Sequence, residues 1–148
     1  MTMAVASPAF HHRAPSPSPA TPSAAPRRTI RSLGPQIGDW IEEHCIHTKG
    51  RWIGTPFRLL GWQRELLNEL FEVELAPDGR WVRRYREGYI EIPKKNGKTE
   101  LIAALALWCI FEDPEPAPEV YCAANSDSQA DLIFGAARTM CELSGLLK

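Results

Sequence analysis

Residues Gly88-Tyr89-Ile90-Glu91-Ile92-Pro93-Lys94-Lys95-Asn96-Gly97-Lys98-Thr99 set an apolar, β-branched and aromatic run against a polar turn, and a long apolar run follows. A chain written this way delivers a strand, exposes a loop and starts a helix within a dozen residues. The helix begins where the loop ends, so its free N–H groups and the positive end of its dipole face whatever the loop holds. Such a corner binds anions, phosphate above all. Gly97 lets the backbone come close, Lys98 brings a point charge to the outer phosphates, and Thr99 offers a hydroxyl to a phosphate-bound magnesium ion.

The pattern departs from Gly-x-x-x-x-Gly-Lys-Ser/Thr at its first position, which Ile92 holds. A Gly-Lys-Ser/Thr triplet arises by chance in about 5–10% of chains of this length, so the flanks carry the reading. Leu101, Ile102, Leu105, Trp108 and Cys109 recur behind the loop at helical spacing. The competing reading is an ordinary basic turn ahead of a helix.

Composition narrows the possibilities elsewhere. The 148 residues carry a net charge of −1 with both signs mixed, so nothing global draws the chain to nucleic acid or to a membrane surface. No run of about 20 apolar residues is present and the N-terminus has no signal-peptide core, so a soluble, cytoplasmic protein is expected. Cys45, Cys109, Cys122 and Cys141 are widely spaced within apolar patterns and read as core thiols in a reducing compartment. His44, Cys45 and His47 could hint at a metal, but no second ligand pair stands at finger-like spacing; a mostly solvated helix face is the expected reading.

Residues 1–33 read as a disordered leader rich in Ala, Pro and Ser, with Pro15, Pro17, Pro19, Pro22 and Pro26 excluding helix and sheet. Its basic end, Arg27, Arg28 and Arg31, could touch a phosphate backbone, with a solubilising flank the expected reading. From Gly34, Ile37, Trp40, Ile41 and Cys45 mark a helix closed by Gly50, with Glu42 and Glu43 on its solvated side. A second helix follows, with Trp62, Leu66, Leu67, Leu70 and Phe71 facing the core. Pro77-Asp78-Gly79 turns the chain into a strand at 81–86, which Glu87-Gly88 would fold into a hairpin with a strand at 89–92.

The helix expected at 97–111 is apolar on most faces and should be largely buried. Residues 113–118, with three prolines, break it and lead into a strand at 119–124, completing a strand-helix-strand crossover that is right-handed if the strands are parallel neighbours. Asn125-Ser126-Asp127-Ser128 then caps a helix marked by Ala130, Ile133, Phe134, Ala137, Met140 and Cys141. The fold class expected is α/β, a P-loop NTPase-like three-layer fold around a parallel sheet, with residues 34–148 forming an incomplete domain.

From Ile37 onward the chain resembles the large terminase subunit of tailed bacteriophages, the motor that drives DNA into a procapsid. The likeness rests on Leu59-Leu60-Gly61-Trp62-Gln63, on Ile92-Pro93-Lys94-Lys95-Asn96-Gly97-Lys98-Thr99, and on Val120-Tyr121-Cys122-Ala123-Ala124-Asn125 with Gln129-Ala130. That family commonly lacks the first glycine and writes Pro-Arg/Lys-x-x-Gly-Lys-Ser/Thr, which accounts for Ile92. The resemblance implies ATP and Mg2+ as cofactors, with Gln63, Pro93, Lys94, Lys95, Asn96, Gly97, Lys98 and Thr99 binding ATP, Lys98 and Lys94 catalytic, and Thr99 on the metal. Gln63 would recognise adenine, because an amide donates and accepts at once. Lys94 stands where the family often places an arginine; lysine keeps the charge without the planar fork. Ala123-Ala124-Asn125 resembles a coupling motif of helicase-like motors.

Double-stranded DNA, the small terminase subunit and the portal protein are the implied partners, in a bacterial host cell. A strand ending in two acids, needed for hydrolysis, is not found after Leu132, and the family's nuclease domain is missing. The expectation is therefore an N-terminal ATPase fragment of a protein that packages viral double-stranded DNA. The alternatives are another P-loop nucleic-acid motor of helicase type and a non-catalytic nucleotide-binding remnant.

Overall fold

A computed structural model of the protein describes residues 29–113, 117–145 and 147. Its elements run β1 (Ile30–Ser32), α1 (Gly34–His44), a 3-10 turn (Gly50–Trp52), α2 (Gly61–Leu70), β2 (Glu72–Leu75), β3 (Trp81–Arg83), α3 (Lys98–Phe111) and α4 (Asp127–Leu143). Most of the expected leader, including Arg27 and Arg28, lies outside the described residues. Its last part, however, is β1, with the Arg31 guanidinium 4.1 Å from the centre of the Trp81 ring.

Helix α1 starts where Ser32 accepts the Gly34 N–H at 2.9 Å through its hydroxyl, which donates in turn to the Asn68 carbonyl at 2.7 Å. Pro35 pre-sets the first turn. The buried face is Gly34, Ile37, Gly38 and Ile41. Gly34 is required by contact, since a methyl group there would lie 2.5 Å from the Asn68 backbone, and α2 could not approach so closely.

The helix ends at His44, earlier than Gly50, because Cys45 turns extended into the core, buried to 1% exposure. His44 donates to the Trp40 carbonyl at 3.0 Å and stacks on the Trp40 ring. The face expected to be solvated at His44, Cys45 and His47 is thus largely engaged, and burial together with neighbouring Cys141 pushes the Cys45 thiol up to about 12. Glu42 also departs from a solvated role. It accepts the Leu59 N–H at 2.9 Å and pairs with Arg58 and Arg64.

The sheet is three-stranded and antiparallel in the order β1-β2-β3, not the parallel sheet expected. Its hairpin joins β2 to β3 through a turn at Gly79, whose φ is +82°, so that Val73 faces Arg83 and Leu75 faces Trp81. The partner of β3 is therefore Glu72-Val73-Glu74-Leu75, not residues 89–92. Residues 89–92 and 119–124 belong to no strand among the described residues. In both segments inward and outward residues alternate, with Ile90 and Ile92 half-buried while Tyr89 is 74% exposed.

The main core is helical. Ile37 and Ile41 of α1, Leu67 of α2, Leu101, Ala103, Ala104, Leu107 and Trp108 of α3, and Ile133, Ala136 and Met140 of α4 enclose it. The small residues of α3 let α4 pack closely, while Trp108 meets Phe71 edge to face at 5.8 Å between centroids. Ile110 and Phe111 at the far end of α3, and Phe134 of α4, remain exposed, so burial of these helices is one-sided.

Candidate functional site: the loop at Gly97

Residues 93–97 join the extended segment to α3 by a tight polar turn. Lys95 and Gly97 both take left-handed backbone, each with φ of 71°, and Gly97 is the residue that caps α3. Left-handed conformation costs glycine little and a β-carbon roughly 1–2 kcal/mol, which explains glycine at the second position. Lys95 accepts the strain. The Asn96 amide donates to the Pro93 carbonyl at 3.4 Å across the turn, and the first helical bond runs from Leu101 N–H to the Gly97 carbonyl at 3.0 Å. Lys98 and Thr99 therefore occupy the first two helical positions, where N–H groups have no partner within the helix.

The Lys98 ammonium folds back to 3.5 Å from the Ile92 carbonyl, so it lies over the start of the loop instead of pointing off the far side of α3. Pro93, Lys94, Lys95, Asn96, Gly97 and Lys98 are all exposed, and Thr99 is half-buried. Three ammonium groups thus stand on one short exposed turn at the positive end of a helix. A β-carbon at Gly97 would meet one heavy atom within 4 Å, Gln63 Nε2 at 3.7 Å.

That contact brings α2 to the loop. Gln63 is 2% exposed, against the alternative of an exposed polar residue at the helix start. Its Oε1 accepts the Leu60 N–H at 2.8 Å, half of a capping box, and this holds the side chain with Nε2 toward Gly97. The structure thereby assembles Gln63 with the 93–99 loop, across a gap in sequence that no local pattern bridges. Among the described residues, 119–124 make no ladder to 89–92; Val120 and Cys122 are half-buried while Tyr121 and the Ala123-Ala124-Asn125 end are exposed.

One group beside the loop has no signal in the sequence. Glu100, third in α3, accepts hydrogen bonds from the Thr48 N–H at 2.8 Å, the Thr48 hydroxyl at 3.0 Å and His47 Nδ1 at 3.0 Å. Burial alone would raise its pKa, but these donors together hold it below the ordinary 4.5. The folded carboxyl thus binds its proton less readily than the unfolded one, so its stabilisation is complete above about pH 4.5 and is lost as pH falls through the depressed folded value. Urea unfolding should show stability falling from pH 5 downward, and falling less in Glu100→Gln. Equal acid losses in the two proteins would contradict this assignment. Among the described residues, no group of His, Cys, Asp and Glu is arranged to hold a metal ion.

The family model of the terminase large subunit ATPase domain matches residues 62–147, a span that holds Gln63, the loop, α3 and α4. The chain is 29% identical over 117 residues to the terminase large subunit of Enterobacteria phage HK97, an alignment covering 78% of this chain and 21% of that protein. It is also similar to the crystal structure of the HK97 bacteriophage large terminase, with a TM-score of 0.51 and 26% identity over 78% of this chain and 22% of the other. The match therefore spans about a fifth of the relative's length.

Proposed function

The chain belongs to the terminase large subunit ATPase domain family, and from that premise we propose that its 93–99 loop binds the phosphates of ATP. In this reading the fold is P-loop NTPase-like. The observation that carries the proposal is the corner itself: Gly97 left-handed at the cap of α3, with Lys98 and Thr99 in the first turn beneath it. Amides of residues 97–99 would hold the phosphates, Lys98 would offset their charge, and Lys94 would extend the positive field toward the outermost group. Lys95 and Asn96 shape the loop from outside, and Pro93 fixes its entry.

Gln63 is the base-side contact in this proposal, since its Nε2 already faces the loop. A magnesium ion would take the Thr99 hydroxyl as its protein ligand. One neutral oxygen beside a cationic loop suits an ion that keeps several waters and shares phosphate oxygens, and it supplies charge neutralisation between the phosphates. Hydrolysis further needs a free carboxylate pair. Glu42 and Glu100 both accept several hydrogen bonds elsewhere. Turnover is assigned in this reading to the whole protein, since the match spans about a fifth of the relative's length, together with packaging of double-stranded DNA alongside the small subunit and portal. No helix among the described residues is long and apolar enough to cross a membrane.

Titration of the purified chain with a fluorescent ATP analogue, with and without Mg2+, tests the reading. Saturable binding that Mg2+ strengthens and that ATP and ADP displace is expected. Absence of saturable binding, or binding indifferent to Mg2+, would overturn it.

A further inference from the structure

We propose that Glu100 is a positioning residue that fixes the first turn of α3 and couples it to the 46–56 loop, so that nucleotide at Gly97–Thr99 is felt by that loop. The inference rests on the phosphate reading given above and deepens it. An acid in the first turn of a helix ordinarily serves its own dipole or reaches back to its own cap. Glu100 stands in that first turn but makes no bond to the cap of α3. Its carboxylate takes three donors from His47 and Thr48, more than fifty positions earlier in the chain.

Both sides of this clasp are built. Thr48 is 5% exposed, and the loop that carries it is closed by a bridge between Ile46 and Pro56 and by hydrogen bonds from His47 N–H to Thr55 and from Gly54 N–H to His47. The His47 ring also meets Phe57 edge-on at 5.0 Å. The loop tip carries Arg51, with its guanidinium 4.8 Å from the Trp52 ring centre, and exposed Trp52 and Ile53. Glu100 directly follows Lys98 and Thr99, so holding its side chain fixes the rotation of the turn that presents them.

Coupling between two sites is reciprocal, and the test uses that. Hydrogen exchange of the full chain should show Mg·ATP protecting both residues 97–101 and the 46–56 loop. In Glu100→Ala the loop's response should vanish, and the factor by which Mg2+ strengthens fluorescent ATP binding should fall at least about fivefold. Glu100→Gln, which can still accept from Thr48, should restore most of both. Thr48→Val, which keeps the backbone donor, should fall between. Ile133→Ala in α4, a destabilising change that touches none of the clasp's hydrogen bonds, should leave both ratios as in the wild type.

A Glu100→Ala chain with wild-type loop response and Mg2+ factor would overturn the proposal, as would Ile133→Ala reproducing its losses. If Glu100→Ala fails to fold, Thr48→Val decides on the same two readouts. If the wild type binds no nucleotide, the phosphate reading fails. Exchange without nucleotide then still decides whether Glu100 fastens the turn, through faster exchange at 98–103 in Glu100→Ala but not in Glu100→Gln.

Discussion

Replacing Lys98 with alanine is expected to weaken Mg·ATP binding about 10- to 100-fold while leaving the thermal midpoint within a degree or two of the wild type. The magnitude follows from losing a charge-assisted bond worth roughly 1.5–3 kcal/mol, at about 1.4 kcal/mol per factor of ten. The fold should tolerate the change because Lys98 is exposed and its ammonium has a single long contact with the Ile92 carbonyl. Alanine is also a better helix former than lysine at an exposed position. A chain that lost affinity together with stability would implicate folding instead of charge, and unchanged affinity would remove Lys98 from the site. Titration paired with thermal unfolding on the same sample separates these outcomes.

Trp108→Ala should carry the largest cost to stability, about 3–5 kcal/mol, against the 5–15 kcal/mol that holds an ordinary domain together. Trp108 is 6% exposed and seats α3 against Phe71, which itself lies under the Arg83 guanidinium at 4.9 Å. Arg83 in turn pairs with Asp113, just beyond the end of α3. One side chain thus locks α3 to the α2–β2 junction. Alanine leaves a cavity that α3, flanked by α1 and α4, can close only in part. The thermal midpoint should fall by more than about 10 °C, and Trp108→Phe should recover part of the loss by keeping an edge-to-face pair. Nucleotide affinity measured well below the midpoint should change little, because Trp108 lies far along α3 from its first turn. A midpoint shift of only a few degrees would show that α3 is held by other contacts.

The helices were legible in the sequence because their signals are local. The spacing of Ile37, Ile41 and Cys45, of Leu101 and Trp108, and of Ile133 and Met140 places each on the core side. Helix α3 runs Lys98–Phe111, one residue from the expected start, since the left-handed glycine that ends the loop also defines the helix boundary. Strands were less legible because a strand exists only with its partner. Residues 89–92 and 119–124 alternate as strands do, yet no neighbour pairs with them among the described residues. Glu72-Val73-Glu74-Leu75 is a strand whose period of two spans only four residues directly behind a strong helical pattern, too short a run to stand out without its partners β1 and β3.

The site divides in the same way. Gly97, Lys98 and Thr99 stand out because a contiguous pattern makes the corner, and Gln63 entered through resemblance to a family. Burial of Gln63 beside Gly97, the triple acceptance by Glu100 and the pairing of Glu42 all depend on tertiary approach between distant segments. Glu42 read as solvated because helical spacing gives a residue's direction and not what other segments bring to meet it.

The most direct measurement is the map of backbone amide shifts in isotope-labelled protein as Mg·ADP is added. The largest changes should fall at Gly97, Lys98 and Thr99, with a smaller one at the Gln63 side-chain amide, and in Lys98→Ala they should require about 10- to 100-fold more nucleotide. Changes centred instead on the recess of about 380 Å³ lined by Leu66, Glu69, Tyr85 and Tyr89, with the 97–99 amides unmoved, would contradict a phosphate site at the head of α3.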